Sequence, residues 1–371
     1  MLNLDLTQEA FGLDISDLSL KIAKLKKQGE RLKLASFAKT KIAKGIIEKG
    51  KIKNEKKLVE VIKKGIAEVK GEPIKTKYVV ASLPEEKAFL DVIQMPPLSE
   101  EELGPAVRYQ AENYIPLSIK DAYLDFKPVQ AYHNHPKILE VLIGAVPKTI
   151  VDSYTRTLKL AGLQPKILEI ESMAIVRALI KKETAARPLL IIDFGQTRTS
   201  FIIFSGYSLR FTSTIPISSQ GLSEIVAANL NISFARAEEL KLKYGLSGEK
   251  HCRRFRRRKG EQCKVFEAMI PALTDLAEQI KILLDYYHSH APRQTILHDG
   301  KEMSKILLCG EGSLLKGLVE FLNSHLKMPV ELGDPRVNIA SSKSGSVKLP
   351  FKESLGYATA LGLALRGVYG Y

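Results

Sequence analysis

Three cysteines in 371 residues (Cys252, Cys263 and Cys309) are too few for a disulfide framework and point to a reducing compartment. Long apolar runs are missing as well: none reaches 18 uninterrupted residues, so no membrane-spanning helix is expected. The opening MLNLDLTQEA lacks the basic-then-apolar order of a secretory signal. A soluble cytoplasmic protein is the expectation. Acidic residues are scarce beside basic ones, 41 Asp and Glu against 56 Lys and Arg, which leaves a net charge of +15. Several chemical signatures are also absent, namely a Walker A loop, a His-Glu-x-x-His helix and a nucleophile elbow. Cys252 and Cys263 are not the closely spaced pair of a zinc site, so they do not make a metal centre with His251. His133 and His135 in YHNHPK read as surface histidines of a turn.

What remains is ordinary globular material, 45% hydrophobic and 26% charged. At about 150 residues per domain the length implies two or more domains. The charge is uneven. Residues 21–77 hold nineteen Lys or Arg against six Asp or Glu, and 250–259 (KHCRRFRRRK) hold seven basic residues and no acid, so the rest is mildly acidic. Such runs attract nucleic acid, anionic lipid or acidic partners, or simply solvate a face. In the first run lysines alternate with core-type residues. Aromatics do not interleave with 250–259, and no nucleic-acid-binding module is present.

Period-2 alternation through Leu18, Leu20 and Ile22, followed by Gln28-Gly29, predicts that the chain opens as an antiparallel sheet. Asn54 is placed to cap a helix whose apolar face is Leu58, Val61, Ile62, Ile66 and Val69. Tyr78–Ser82 reads as a buried strand. From Leu83 to Pro165, strands (FLDVI, KILEVLIGAV) alternate with helices (SEEELGPAVRYQAENY, IVDSYTRTLKLAG), as in a small inserted α/β unit. At Pro188 the opening pattern recurs. GLDISDLSLKIAKL and IIDFGQTRTSFIIF share apolar-Asp-apolar-small, polar residues, then an alternating strand. A long helix over about 265–288, a glycine turn in CGEGSLLKGL and a final helix over 354–367 complete the pattern.

An aspartate-bearing turn between two strands can turn backbone N–H groups onto a phosphate while its carboxylate holds a water on Mg²⁺. Two of them predict two related lobes with a nucleotide between. Gly310 and Gly312 would allow close approach of backbone to base and ribose, with Ser313 starting a helix. This order of motifs resembles the actin-like ATPase superfamily, which implies an α/β actin-like (ribonuclease H-like) duplicated fold. The resemblance places Asp14, Ser16, Asp17, Ser19 and Lys21 in a first phosphate loop, Lys21 reaching a β- or γ-phosphate. It places Asp193, Gly195, Gln196, Thr197 and Thr199 in a second, and Gly310, Glu311, Gly312 and Ser313 in an adenosine loop. ATP or ADP is the implied ligand, with Asp14 and Asp193 holding Mg²⁺ through its waters. Glu171 falls where relatives carry the residue that orients the attacking water.

Within that superfamily the chain resembles the PilM family of type IV pilus assembly proteins, through VVASLPEEKAFLDVIQMPPLSEEEL, VRYQAENYIPLSIKDAYLDF, FTSTIPIS, LKLKYGL, LLDYY and CGEGSLLKGLVEFL. FtsA, the division protein, shares the architecture, but GLALRGVYGY does not resemble its closing amphipathic helix. The implied domains are a first lobe (1–82), an inserted subdomain (83–165), a connecting helix (166–186), a second lobe (187–350, helical over about 219–300) and a C-terminal helix (351–371). The implied function is a cytoplasmic ATP-binding scaffold, at most a slow ATPase. It would sit at the inner face of the cytoplasmic membrane and bind the N-terminal tail of a PilN-like bitopic membrane protein. Self-association and peripheral contact with anionic lipid are further expectations. The other readings are an FtsA-like division scaffold and a phosphotransferase of the sugar-kinase type. Ser16 stands where relatives have Gly, and Asp17 and Leu18 replace small hydroxyl residues. A Cβ and an extra carboxylate beside phosphates predict a weakened anion nest.

Overall fold

The computed structural model describes residues 9–29, 31–129, 138–247, 260–290, 303–340 and 347–369. The chain divides into two compact units, one of Met1–Ala185, Phe204–Thr212 and Asp334–Tyr371, the other of Ala186–Ile203 and Ser213–Gly333. The Arg-rich run 250–259, with Cys252, and the turn bearing His133 and His135 lie outside the described residues.

In the first unit β1 (Phe11–Ile15) pairs antiparallel with β2 (Ser19–Gln28), and β2 with β3 (Arg31–Lys41) across the Gly29 turn. All five residues of β1 are buried, whereas β2 ends in the exposed Lys27 and Gln28, where the sheet leaves the core. A short hairpin, β4 (Ile47–Glu48) and β5 (Lys51–Ile52), precedes α1 (Glu55–Ala67). Asn54 caps α1 as expected, its side chain accepting from Lys57 N at 3.0 Å. Leu58 and Ile62 form its buried face. β6 (Lys70–Gly71) edges the sheet, and β7 (Tyr78–Leu83) lies parallel to β1.

β8 (Phe89–Met95), α2 (Glu100–Tyr114), β9 (Ala122–Val129), β10 (Leu139–Pro147) and α3 (Lys148–Leu160) follow. A capping box starts α2: Ser99 Oγ accepts from Glu102 N while Ser99 N donates to Glu102 Oε2. β10 pairs antiparallel with both β8 and β9, and α2 packs Leu103, Val107 and Ala111 onto Val141, Ile143 and Ala145. The segment expected as a connecting helix over 166–186 is helical in part only. β11 (Gln164–Ile170) pairs in parallel with β7, α4 (Glu171–Leu179) follows and ends at an extended Ile180, and a 3₁₀ turn over Lys181–Glu183 comes next. The physical reason is a strand partner 86 residues away, Gln164 opposite Tyr78, which local periodicity does not reveal.

The second unit is built on β12 (Ala185–Phe194), flanked by β13 (Thr199–Gly206) and by the parallel β15 (Ile306–Cys309). β14 (Ser208–Ile215) closes the hairpin begun by β13 and carries residues of both units. Among the described residues three helices come next: α5 (Ser219–Leu230), α6 (Phe234–Tyr244) and α7 (Glu261–His290). α8 (Leu318–Leu326) and β16 (Val330–Leu332), parallel to β15, complete it. Cys263 on α7 is disulfide-bonded, and Cys309 is a free buried thiol.

The chain returns to the first unit through α9 (Phe351–Ser354), a 3₁₀ turn and α10 (Ala358–Tyr369). Its small residues let α10 approach closely. A Cβ on Gly362 would fall 1.8 Å from Ala174 O of α4, and one on Gly12 2.3 Å from Ala360 O. Arg177 of α4 makes a buried two-point ion pair with Glu169 (2.6 and 2.7 Å) and donates to Gly362 O. Among the described residues no helix is long and apolar enough to cross a membrane, and no group of three or more His, Cys, Asp or Glu is arranged for a metal.

Candidate phosphate loops and their surroundings

In the first unit the β1–β2 turn is closed by Ser16 N donating to Ser19 O at 3.0 Å. Register sets Asp14 directly opposite Lys21. Lys21 Nζ lies 3.6 Å from Asp14 Oδ2 and donates to Ser19 Oγ at 3.0 Å, and the two charged residues are only 7% and 4% exposed. Ser82 of β7 holds the aspartate from the other side, accepting from Ile15 N at 2.9 Å and donating to Asp14 Oδ1 at 3.4 Å. Ser16 Oγ donates to Ser19 O. The loop is thus shaped from within by its own hydroxyls, and the Asp14–Lys21 pair neutralises its centre.

Asp17 is engaged by a neighbouring turn. Its two oxygens accept the backbone N–H groups of Lys49 (3.1 Å) and Gly50 (3.0 Å) in the β4–β5 turn. Both turn residues have positive φ, 48° and 72°, which aims their amides at the carboxylate. The extra carboxylate expected beside a bound anion thus has its charge answered by two amide dipoles. Glu171, at the first position of α4, is 6% exposed, and its Oε2 accepts the backbone N–H of Glu85 at 3.1 Å.

In the second unit Asp193 is half-buried at the end of β12, opposite Cys309 of β15. Burial, reinforced by the Asp193 charge and a thiol contact to Asp193 Oδ1, pushes the Cys309 thiol well up. Gly195 N donates to Arg198 O to close the turn. The turn carbonyls reach α5: Ser219 N donates to Gly195 O and Gln220 N to Gln196 O, both at 3.0 Å. Lys241 of α6, also buried, anchors that helix start by donating to Ser219 O (2.7 Å) and Oγ (2.8 Å) while pairing with Glu238. Burial lowers the Lys241 ammonium below the usual lysine range against the pull of Glu238. Thr199 is buried and donates to Ile217 O at 2.6 Å, so it fixes the strand, whereas Thr197 is half-buried.

The glycine turn packs on this loop. Gln196 Nε2 donates to Glu311 Oε2 at 2.7 Å. A Cβ on Gly310, where φ is +82°, would lie 2.3 Å from Asp193 Oδ1, and one on Gly312 would lie 2.7 Å from Phe194 O. The glycines are required by their own neighbouring strand, a reason the sequence reading did not supply. Ser313 does not start a helix: it sits in a 3₁₀ turn over Glu311–Leu314, donating to Gly310 O, and α8 begins at Leu318 after Gly317. Each hairpin thus brings its expected residues together within its own unit. Ser82, Glu85 and Lys241 are partners missed in the sequence, because each is set by tertiary pairing. The Pro84-Glu85 step before a 3₁₀ turn was the one local hint.

Comparison with known proteins agrees with this geometry. Over 98% of its length the chain superposes on 99% of a chain of the PilM-PilN type IV pilus biogenesis complex, with TM-score 0.77 and 25% identity. EutJ, the ethanolamine utilization protein of Carboxydothermus hydrogenoformans (TM-score 0.54, 13% identity, 96% and 89% of the two chains), shares the fold. So does MreB5 of Spiroplasma citri bound to ADP (0.52, 13%, 95% and 95%), and the fold is the actin-like duplicated one. Among curated sequences, the cell division protein FtsA of Neisseria meningitidis is 22% identical over 241 residues, 61% of this chain and 53% of that protein. FtsA of Streptococcus pneumoniae is 24% identical over 232 residues, 61% of this chain and 50% of that protein. The chain spans about half the length of these curated relatives. The family model for the type IV pilus assembly protein PilM matches residues 12–368. Matched over nearly its whole length, the chain belongs to the PilM family of type IV pilus assembly proteins.

Proposed function

We propose that this protein is the ATP-binding, actin-like component of a type IV pilus assembly, or of a related secretion or competence machine. It works by holding the N-terminal tail of a PilN-like bitopic membrane protein rather than by rapid turnover. The observation that carries this reading is the family match over residues 12–368 together with a likeness to a PilM-PilN complex over 98% of the chain.

The residues fit a magnesium nucleotide. Each hairpin carries an aspartate one residue before the end of its first strand, and in the first Lys21 offsets the Asp14 charge while Asp17 accepts from backbone amides. We assign Asp14, Ser16, Ser19 and Lys21 to one phosphate loop and Asp193, Gly195, Gln196 and Thr197 to the other, with Gly310–Ser313 on the adenosine side. Bound Mg²⁺ would supply positive charge to the phosphates. Asp14 and Asp193 would hold it through its waters. Nucleotide acts through differential affinity for two conformations.

The tail is assigned to the first lobe and the inserted subdomain of 83–165. There α2 exposes Tyr109 (75% exposed) and Tyr114, and β9 exposes Tyr123. Aromatics of this kind are the usual anchors of a peptide interface. The exposed lysines of 21–77 would lie toward anionic headgroups, each adding about 1 kcal/mol close to the surface. An FtsA-like division scaffold is the second reading, favoured by the curated relatives.

Fluorescence anisotropy with a PilN N-terminal peptide, with and without ATP and Mg²⁺, tests the proposal. The expected result is saturable binding strengthened by nucleotide and lost in Tyr109→Ala/Tyr114→Ala. Absence of binding in both conditions would overturn it.

A further inference from the structure

Two more buried acids, Glu85 and Glu171, belong to neither strand turn. Glu85, which follows Pro84 at the end of β7, is 3% exposed and opens a 3₁₀ turn, while Glu171 opens α4. The two exchange backbone amides. Glu85 N donates to Glu171 Oε2 at 3.1 Å, and Ser172 N donates to Glu85 Oε2 at 3.0 Å. Each carboxyl group therefore caps the helical turn that the other begins. Glu85 Oε1 and Ser172 Oγ are buried and neither makes a hydrogen bond of full geometry, the Thr212 and Ser172 hydroxyls lying near enough to Glu85 only to ease its charge. A dry carboxylate oxygen without a full hydrogen bond next to a second carboxylate is unfavourable, and a proton on it removes one charge and creates a donor.

We propose that Glu85 and Glu171 form a latch of reciprocal amide caps in which Glu85 keeps its proton, with Glu85 as the positioning residue that fixes Glu171 and ties the root of the 83–165 segment to α4. The proposal needs neither nucleotide nor partner. Burial is the main influence on Glu85 and, with repulsion from Glu171, pushes its carboxyl above the ordinary glutamate value of 4.5. The Thr212 and Ser172 hydroxyls pull the other way. Among the described residues Glu171 is the charged group that acts on it, and Thr212 of β14 is uncharged. The native state binds this proton more tightly than the unfolded chain does. Its stabilisation is therefore complete below the unfolded value and is lost as pH rises from there through the folded one.

Thermal unfolding of the full chain, without nucleotide, from about pH 5 to about pH 8 decides the matter. Glu85→Gln keeps an acceptor for Ser172 N and cannot ionise. Its melting temperature should exceed that of wild type by a few degrees at the alkaline end, and the gap should close at the acid end. A gap independent of pH would overturn the latch. Should Glu85→Gln fail to fold, Glu171→Gln serves in its place. It keeps the acceptor for Glu85 N, removes the repulsion and should flatten the same pH dependence. An unchanged slope there would likewise overturn it.

Discussion

The two hairpins begin their units with the same pattern and secure their aspartates by different means. In the first, Asp14 is matched across the strand by Lys21, and the loop is closed by serine hydroxyls. In the second, Asp193 lies under a glycine turn and beside a buried thiol, and the loop is tied by its carbonyls to the start of α5. A charge pair does in one unit what close backbone packing does in the other. The lesson is that the duplicated motif fixes the turn, while the neighbouring strand decides how the acid is held.

That contrast can be broken most severely in the second unit. Gly310→Ala forces a Cβ against Asp193 Oδ1 and an L-residue into φ +82°, so a loss of about 4–5 kcal/mol is expected, seen as insoluble protein or a greatly lowered melting temperature. In the first unit, Lys21→Met leaves Asp14 buried without its ammonium and should cost about 3 kcal/mol in chemical denaturation. Restoring neutrality with Asp14→Asn in the same chain should recover part of it, a recovery that has no counterpart at Gly310. The smallest effect belongs to Asp17→Ala, which frees two turn amides at about 1–2 kcal/mol. Because Asp17 faces those amides, nucleotide affinity measured by titration should not rise when its charge is removed. A large rise would mean that the carboxylate does oppose the phosphates.

Much of this was legible from local chemistry. The Asn54 cap, the Ser99–Glu102 box, the first hairpin and the recurrence at Asp193 follow from spacing and residue type, and the structure contains them. β9 was not legible. AYLDFKPV is half-exposed and carries Pro128, which suits an edge strand but gives a weak alternation. β11 was hidden in an expected helix, since its order comes from β7. The loops were read correctly as turns but incompletely as environments. Nothing in the sequence near Asp17 announces Lys49 and Gly50, and nothing near Gly310 announces Asp193 as the atom a Cβ would strike. Those contacts depend on segments more than thirty residues away.

The turn that receives Asp17 has one more neighbour on each side. A Cβ on Gly50 would lie 2.7 Å from Pro84, and Tyr154 of α3 donates to Gly50 O at 3.1 Å. Loop, turn and the root of the inserted segment therefore share one crowded junction. By contrast, Gly29 at the tip of β2–β3 has open space around it. Natural drift in length should follow that asymmetry: homologues can lengthen the Gly29 tip freely, while an added residue at 49–50 would have to be matched by changes at three separate places in the chain at once.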